Sequence, residues 1–118
     1  RLLSSAASDV YKRQIQANVE CTLINCSHAD IASNSIRELA RTPKFGIFAN
    51  SSTFKEIDLS ISTKDIDAIH HLNSEIISAK EYAKIALNWA KEGAYVVGGC
   101  CGTTVEHTKQ IKLLLETL

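Results

Sequence analysis

Ala94-Tyr95-Val96-Val97-Gly98-Gly99-Cys100-Cys101-Gly102-Thr103-Thr104 leads from an apolar run, through a glycine-rich turn holding two adjacent cysteines, into the helix-like stretch Glu106 to Leu115. The pattern reads as strand, tight turn, helix. Glycines flanking the cysteines let the backbone adopt conformations a side chain would forbid, so its N–H groups can approach a charged object closely. The helix that follows adds partial positive charge at its N-terminus. Both effects favour thiolate over thiol, and the thiolate is the metal-binding form of cysteine. The turn therefore predicts a soft-metal site with Cys100 and Cys101 as ligands.

Zinc takes about four ligands, so two sulfurs from one turn leave its shell incomplete. The segment Val19 to Ser27 reads as a short strand ending at Asn25-Cys26. Cys26 then occupies the C-terminal end of its strand, the same place Cys100 and Cys101 occupy on theirs, and is the candidate third ligand. Cys21 falls in mid-strand and reads as a small apolar residue.

Outward from these two segments, apolar spacing at Ile36, Leu39 and Ala40 predicts a helix over about Asp30 to Arg41, ended by Pro43. Lys44 to Ala49 reads as a buried strand closing at Asn50-Ser51-Ser52. Residues 53–77 read as an insertion, in which Ser62 to His71 could form a short helix with Ile66 and Ile69 inward. Ser78 and Glu81 fit a capping box, with Tyr82, Ile85, Ala86 and Trp89 on one helical face and Gly93 as the stop. The last strand is Ala94 to Val97, and the last helix buries Ile111, Leu114 and Leu115. Its cap is either Thr103, paired with Glu106, or Thr104. The order is strand, helix, three times over, with short apolar strands that look buried on both faces. Such alternation predicts an α/β fold with a parallel sheet.

Ile24-Asn25-Cys26 and Gly98-Gly99-Cys100-Cys101-Gly102-Thr103-Thr104-Val105-Glu106-His107 resemble the two zinc-ligand motifs of the homocysteine S-methyltransferase family. Phe48-Ala49-Asn50-Ser51 and Tyr82 through Trp89 to Gly93-Ala94 resemble the segments between them, and the resemblance runs from about residue 15 to the end. Val105 stands where the family usually has proline, a change that weakens the helix start without touching the metal. The resemblance implies a (β/α)8 TIM barrel, of which this chain supplies the sixth, seventh and eighth strand–helix units, the first five being absent. In such barrels active sites lie at the C-terminal ends of the strands. Cys26 at the end of unit six and Cys100-Cys101 at the end of unit eight can then reach one point, and Asn50, ending unit seven, lies between them as a candidate substrate-binding residue.

The activity so implied is that of a zinc-dependent S-methyltransferase. A methyl group passes from a sulfonium, quaternary ammonium or corrinoid donor to the zinc-bound thiolate of homocysteine, giving methionine. Three thiolates at about 2.3 Å leave a fourth position on zinc for a substrate thiol, which coordination deprotonates outright. No protein general base is assigned to methyl transfer, and glycine-turn amides are expected to stabilise the anionic cluster. Zn2+ is the expected cofactor, with homocysteine and a methyl donor as small-molecule partners.

The 118 residues suit one small domain, with 45% hydrophobic and 22% charged residues arguing against disorder. Formal net charge is zero without a basic block, so nucleic acid is not an expected partner. No apolar run nears the roughly 20 residues that span a bilayer. The four cysteines could form disulfides instead, but adjacent cysteines pair only with strain and no secretory signal is visible, so a reducing cytoplasm is the expected location. Residues 1–14 resemble an in-frame translation of a sequencing adapter and are set apart from 15–118, the C-terminal portion of the barrel domain. Without Arg1, Lys12, Arg13 and Asp9 the remainder carries a net charge of −2.

Three other readings compete. One is a structural zinc module whose fourth ligand is Cys21, His28, His70, His71 or His107, although the histidines read better as solvated or hydrogen-bonding groups and His107 as a packing or capping residue. Another is a phosphate-binding barrel turn, although the motif is neither a P-loop nor a dinucleotide fingerprint. In the last, the chain has no activity by itself, because family elements that hold the amino acid and the donor lie in earlier units.

Overall fold

A computed structural model describes residues 9, 13, 17–54 and 74–118. The segment set apart at 1–14, the helix expected over Ser62 to His71, and His70 and His71 lie outside the described residues, except for residues 9 and 13. Three strands form a parallel sheet in the order β1-β2-β5, where β1 is Thr22–His28, β2 is Phe45–Asn50 and β5 is Val96–Gly99. Between β2 and β5 lie β3 (Ser52–Phe54) and β4 (Ser74–Ile76), paired antiparallel as a separate ribbon. The helices are α1 (Ala29–Asn34), α2 (Ile36–Leu39), α3 (Ala79–Lys91) and α4 (Val105–Leu115). The α/β class and the parallel sheet expected from the alternation are present. Among the described residues no helix is long and apolar enough to cross a membrane.

β2 is the centre of the sheet, with Phe45, Ile47 and Ala49 buried on one face and Gly46 buried on the other. The expectation of strands buried on both faces fails for its neighbours. β1 leaves Leu23 46% exposed, and β5 is only half-buried along most of its length, since each has a partner strand on one side alone. In register, Ile24 faces Ile47 and Asn25 faces Phe48, while Phe48 faces Gly98 and Ala49 faces Gly99.

Three further expectations need correcting. The first strand starts at Thr22, so Cys21 lies just before it rather than in its middle. The helix expected over 30–41 is two short helices meeting at Ser35. Ser33 and Ser35 each donate their hydroxyl to the carbonyl four residues back, at 2.8 and 2.9 Å, and such back-bonding competes with a straight helix. The insertion at 53–77 has the ribbon at its ends. Three-residue strands with polar members carry too little alternation to be read.

α3 forms as its sequence directs. Ser78 Oγ accepts from the Glu81 amide and the Glu81 carboxylate accepts from the Ser78 amide, each at 3.3 Å. The Ser78 hydroxyl, which donates to the Glu81 carboxylate at 2.7 Å, and then the Ser78 amide hold that carboxyl below the usual range. At the other end Gly93, at φ +103°, lets the Ala94 amide reach the Trp89 carbonyl (2.9 Å) and its own amide reach Ala90 (3.1 Å), closing a Schellman turn. Tyr82, Ala83, Ala86 and Trp89 point into the core, and Trp89 donates its indole N–H to Ser33 at 2.7 Å, tying α3 to α1. α4 packs beside α3 through buried Ile111, with Leu114 and Leu115 partly covered. Its cap is Thr104, whose amide donates to His107 Nδ1 at 3.1 Å, so His107 is a capping and packing residue, buried edge-on against Tyr82.

Candidate metal centre

Parallel strands end together, so the C-terminal ends of β1, β2 and β5 gather on one rim of the sheet. β1 would carry the Cys26 side chain by simple alternation, but its register slips against β2 between Asn25 and His28. Three residues of β1 there span two of β2, which is a bulge. Cys26 sits in the bulge at φ +56°, a left-handed conformation that costs a residue with a Cβ about 1 kcal/mol or more. The bulge re-aims the Cys26 side chain, and the strand continues two residues beyond it to His28.

Cys100 and Cys101 enter from the turn between β5 and α4. The Cys100 amide donates to the Ala49 carbonyl at 2.8 Å, extending the β2–β5 ladder. The Cys101 amide donates to Asn50 Oδ1 at 3.1 Å, and the Cys101 carbonyl accepts from the Ser51 amide at 3.0 Å. Thr103 closes the turn by donating its amide (3.2 Å) and hydroxyl (2.7 Å) to the Cys100 carbonyl. Gly102 takes φ +75°, and a Cβ there would stand 2.7 Å from Ser51 Oγ. Close approach of the turn to β2 therefore requires glycine at 102.

These devices bring three sulfurs together. Cys26 Sγ lies 2.6 Å from Cys100 Sγ and 3.9 Å from Cys101 Sγ, and the two neighbouring cysteines are 3.9 Å apart at sulfur. Tetrahedral zinc with sulfur at about 2.3 Å would space its thiolates roughly 3.8 Å apart. Two edges of the triangle match that spacing and the third is shorter. The set could hold a metal ion, and its soft sulfur chemistry fits zinc. Cys26 and Cys101 are exposed and Cys100 is half-buried, so one side of the triangle is open to a small molecule.

With no cation among them, three sulfurs this close cannot all be anionic. The Cys100 thiol pKa is lowered, first by its hydrogen bond with Cys26 and then through Cys101 and the backbone N–H groups of Cys101 and Cys26. The Cys26 thiol is pushed up to about 12 by its hydrogen bonds to Cys100 and Cys101. Cys26 thus holds its proton more tightly than Cys100 does. A shared cation removes the reason for this asymmetry, since it stabilises every sulfur it touches.

Of the other candidates, Asn50 lies between the cysteines and lines a cleft of about 550 Å3 beside Cys26, His28, Ile31, Ser52 and Cys101. Cys21 is outside the sulfur cluster, and its thiol faces the Thr22 carbonyl at 3.9 Å. His28 shares a hydrogen bond with Ser52 (2.8 Å) and His107 with Thr104, and neither joins the cluster. Among the described residues no fourth protein ligand closes the site. The turn amides of residues 100, 101, 103 and 104 all have protein partners, which weakens the phosphate-binding reading.

Sequence reasoning missed two organisers of this rim. Tyr82, read only as part of a helix face, places its hydroxyl 2.7 Å from the Ala49 carbonyl and 2.9 Å from the Gly98 carbonyl, bridging the ends of β2 and β5. The available signal was that a buried tyrosine needs a partner for its hydroxyl. Ser51, whose hydrogen bond to the turn is made by its backbone amide, left no such signal. A family model described as homocysteine S-methyltransferase matches residues 3–115 of the chain.

Proposed function

Since the chain belongs to the homocysteine S-methyltransferase family, we propose that Cys26, Cys100 and Cys101 hold a zinc ion at which the sulfur of homocysteine accepts a methyl group to give methionine. The observation that carries this reading is the meeting of three sulfurs, drawn from both outer strands of the sheet, with one side open. A structural site would close its shell with a fourth protein ligand, whereas a catalytic one keeps a position for substrate.

Zinc, when bound, supplies a Lewis acid that replaces the proton of the acceptor thiol, whose ordinary pKa near 8.5 would otherwise leave only a small thiolate fraction at neutral pH. The chain's own residues position that chemistry. The bulge at Cys26 and the clamped turn at Cys100-Cys101 fix the ligand triangle, and the adjoining cleft at Asn50 offers room for the acceptor. The sulfur–methyl bond forms as the donor–methyl bond breaks, and the thiol proton goes to solvent. Candidate donors are a sulfonium, a quaternary ammonium or a methyl corrinoid, with no nucleic-acid or membrane partner and a cytoplasmic setting.

The same reading takes β1, β2 and β5 as strands six to eight of a (β/α)8 barrel. Three units do not close a barrel, so residues that hold the amino acid and the donor belong to other units, and the 118-residue chain alone is not competent. Zinc analysis before and after thiol alkylation tests the proposal. One zinc per chain, lost on alkylation and protected by homocysteine, is expected. A chain without zinc, or a Cys26→Ser variant that binds zinc as tightly as the wild type, contradicts it.

A further inference from the structure

Among the described residues, and apart from the cysteines themselves, Asn50 is the side chain that hydrogen-bonds to both cysteine-bearing segments. Its Nδ2 donates to the Cys26 carbonyl at 3.2 Å, and its Oδ1 accepts from the Cys101 amide at 3.1 Å. These are the two backbone positions with least support from the sheet itself: Cys26 is in a bulge at φ +56°, and Cys101 has left the ladder that Cys100 still joins. An amide suits this bridge because it carries a donor and an acceptor at opposite ends of one rigid plane. A carboxylate could accept from Cys101 but would face the Cys26 carbonyl, and a cluster of thiolates, with negative charge.

We propose that Asn50 is a positioning residue for the metal centre, setting the distance between Cys26 and the Cys100-Cys101 turn so that all three sulfurs reach one ion. This rests on the metal reading above but assigns Asn50 a task different from contacting substrate. β1 and β5 are not neighbours in the sheet, and β2 separates them. The alignment of their sulfurs therefore depends on the strand between them. The last residues of that strand act together, Ala49 holding the Cys100 amide, Asn50 the Cys101 amide and Cys26 carbonyl, and Ser51 the Cys101 carbonyl. Of these contacts only those of Asn50 are made by a side chain, so they alone can be removed without altering the main chain.

Cobalt(II) titration of the 118-residue chain and its Asn50→Asp and Asn50→Ser variants tests this, because the sulfur-to-cobalt charge-transfer band scales with the number of thiolates bound. Wild type is expected to show three thiolates. Both variants are expected to keep the wild-type circular dichroism spectrum but to show two, with metal affinity about 10- to 100-fold weaker, as for other residues that orient ligands from outside the shell. Tyr82→Phe, which removes a bridge between the same strands without touching Cys26, is expected to lower the melting temperature and keep three thiolates. Variants that bind cobalt through three thiolates with wild-type affinity overturn the inference while leaving the metal reading intact. A wild-type chain that binds cobalt through no thiolate overturns both. If the variants do not fold, hydrogen exchange in the metal-free wild type decides: a protected Cys101 amide supports the bridge, and an amide exchanging as fast as an unstructured one overturns it.

Discussion

Tyr82 shows how a residue read as plain core also holds the rim of the site. Its ring is fully buried, edge-on to Trp89 and His107, and its hydroxyl reaches the ends of two strands. Burial pushes its phenol above the ordinary tyrosine value. The folded state thus prefers the neutral phenol. The stability this gives is complete below about pH 10, the unfolded value, and is lost as pH rises beyond it. Tyr82→Phe is expected to cost about 1 kcal/mol at neutral pH and to remove part of the alkaline loss. Denaturant unfolding between pH 8 and 11 measures both, and equal pH slopes for wild type and variant would contradict the assignment. Cys26 stands at the other limit of legibility. Its place near a strand end could be read from Ile24-Asn25-Cys26, but its left-handed backbone could not, because nothing in a cysteine signals φ +56°. The bulge arises from how β1 meets β2, a long-range fact.

At the level of elements, the sequence was most readable where local and tertiary demands agree. α3 combines a capping box, one apolar face and a glycine stop, and each is present in the structure. The helix split at Ser35 and the β3–β4 ribbon were not readable, since the first depends on serine hydroxyls choosing backbone carbonyls and the second on pairing across 19 intervening residues (55–73). The start of α4 makes a prediction of its own. Val105 is the first helical residue, 72% exposed, behind an extended Thr104 at φ −127° and ψ 175°. Proline fits the first helical position, where the amide has no partner within the helix, and an extended preceding residue accepts it. Val105→Pro is therefore expected to stabilise the chain by about 0.5–1 kcal/mol through the unfolded state, with metal affinity unchanged. A fall in melting temperature would show that the helix start differs from this description.

Across the molecule, one central strand carries the organisation. β2 is buried where β1 and β5 are half-covered, and its C-terminal residues bond to the backbone around all three thiols. The parallel sheet and the sharing of one rim by Cys26, Cys100 and Cys101 followed from strand–helix alternation and from equivalent places at strand ends. The clamp by Asn50 and Ser51 did not follow, because a polar residue after a buried strand has many uses and only coordinates distinguish them. The proposed chemistry depends on three sulfurs acting as one ligand set with room for a fourth. X-ray absorption spectroscopy of the zinc-loaded chain tests this most directly. Three sulfurs at about 2.3 Å with one lighter neighbour are expected, rising to four sulfurs when homocysteine is added. Two sulfurs or fewer, or a shell that homocysteine leaves unchanged, would contradict it.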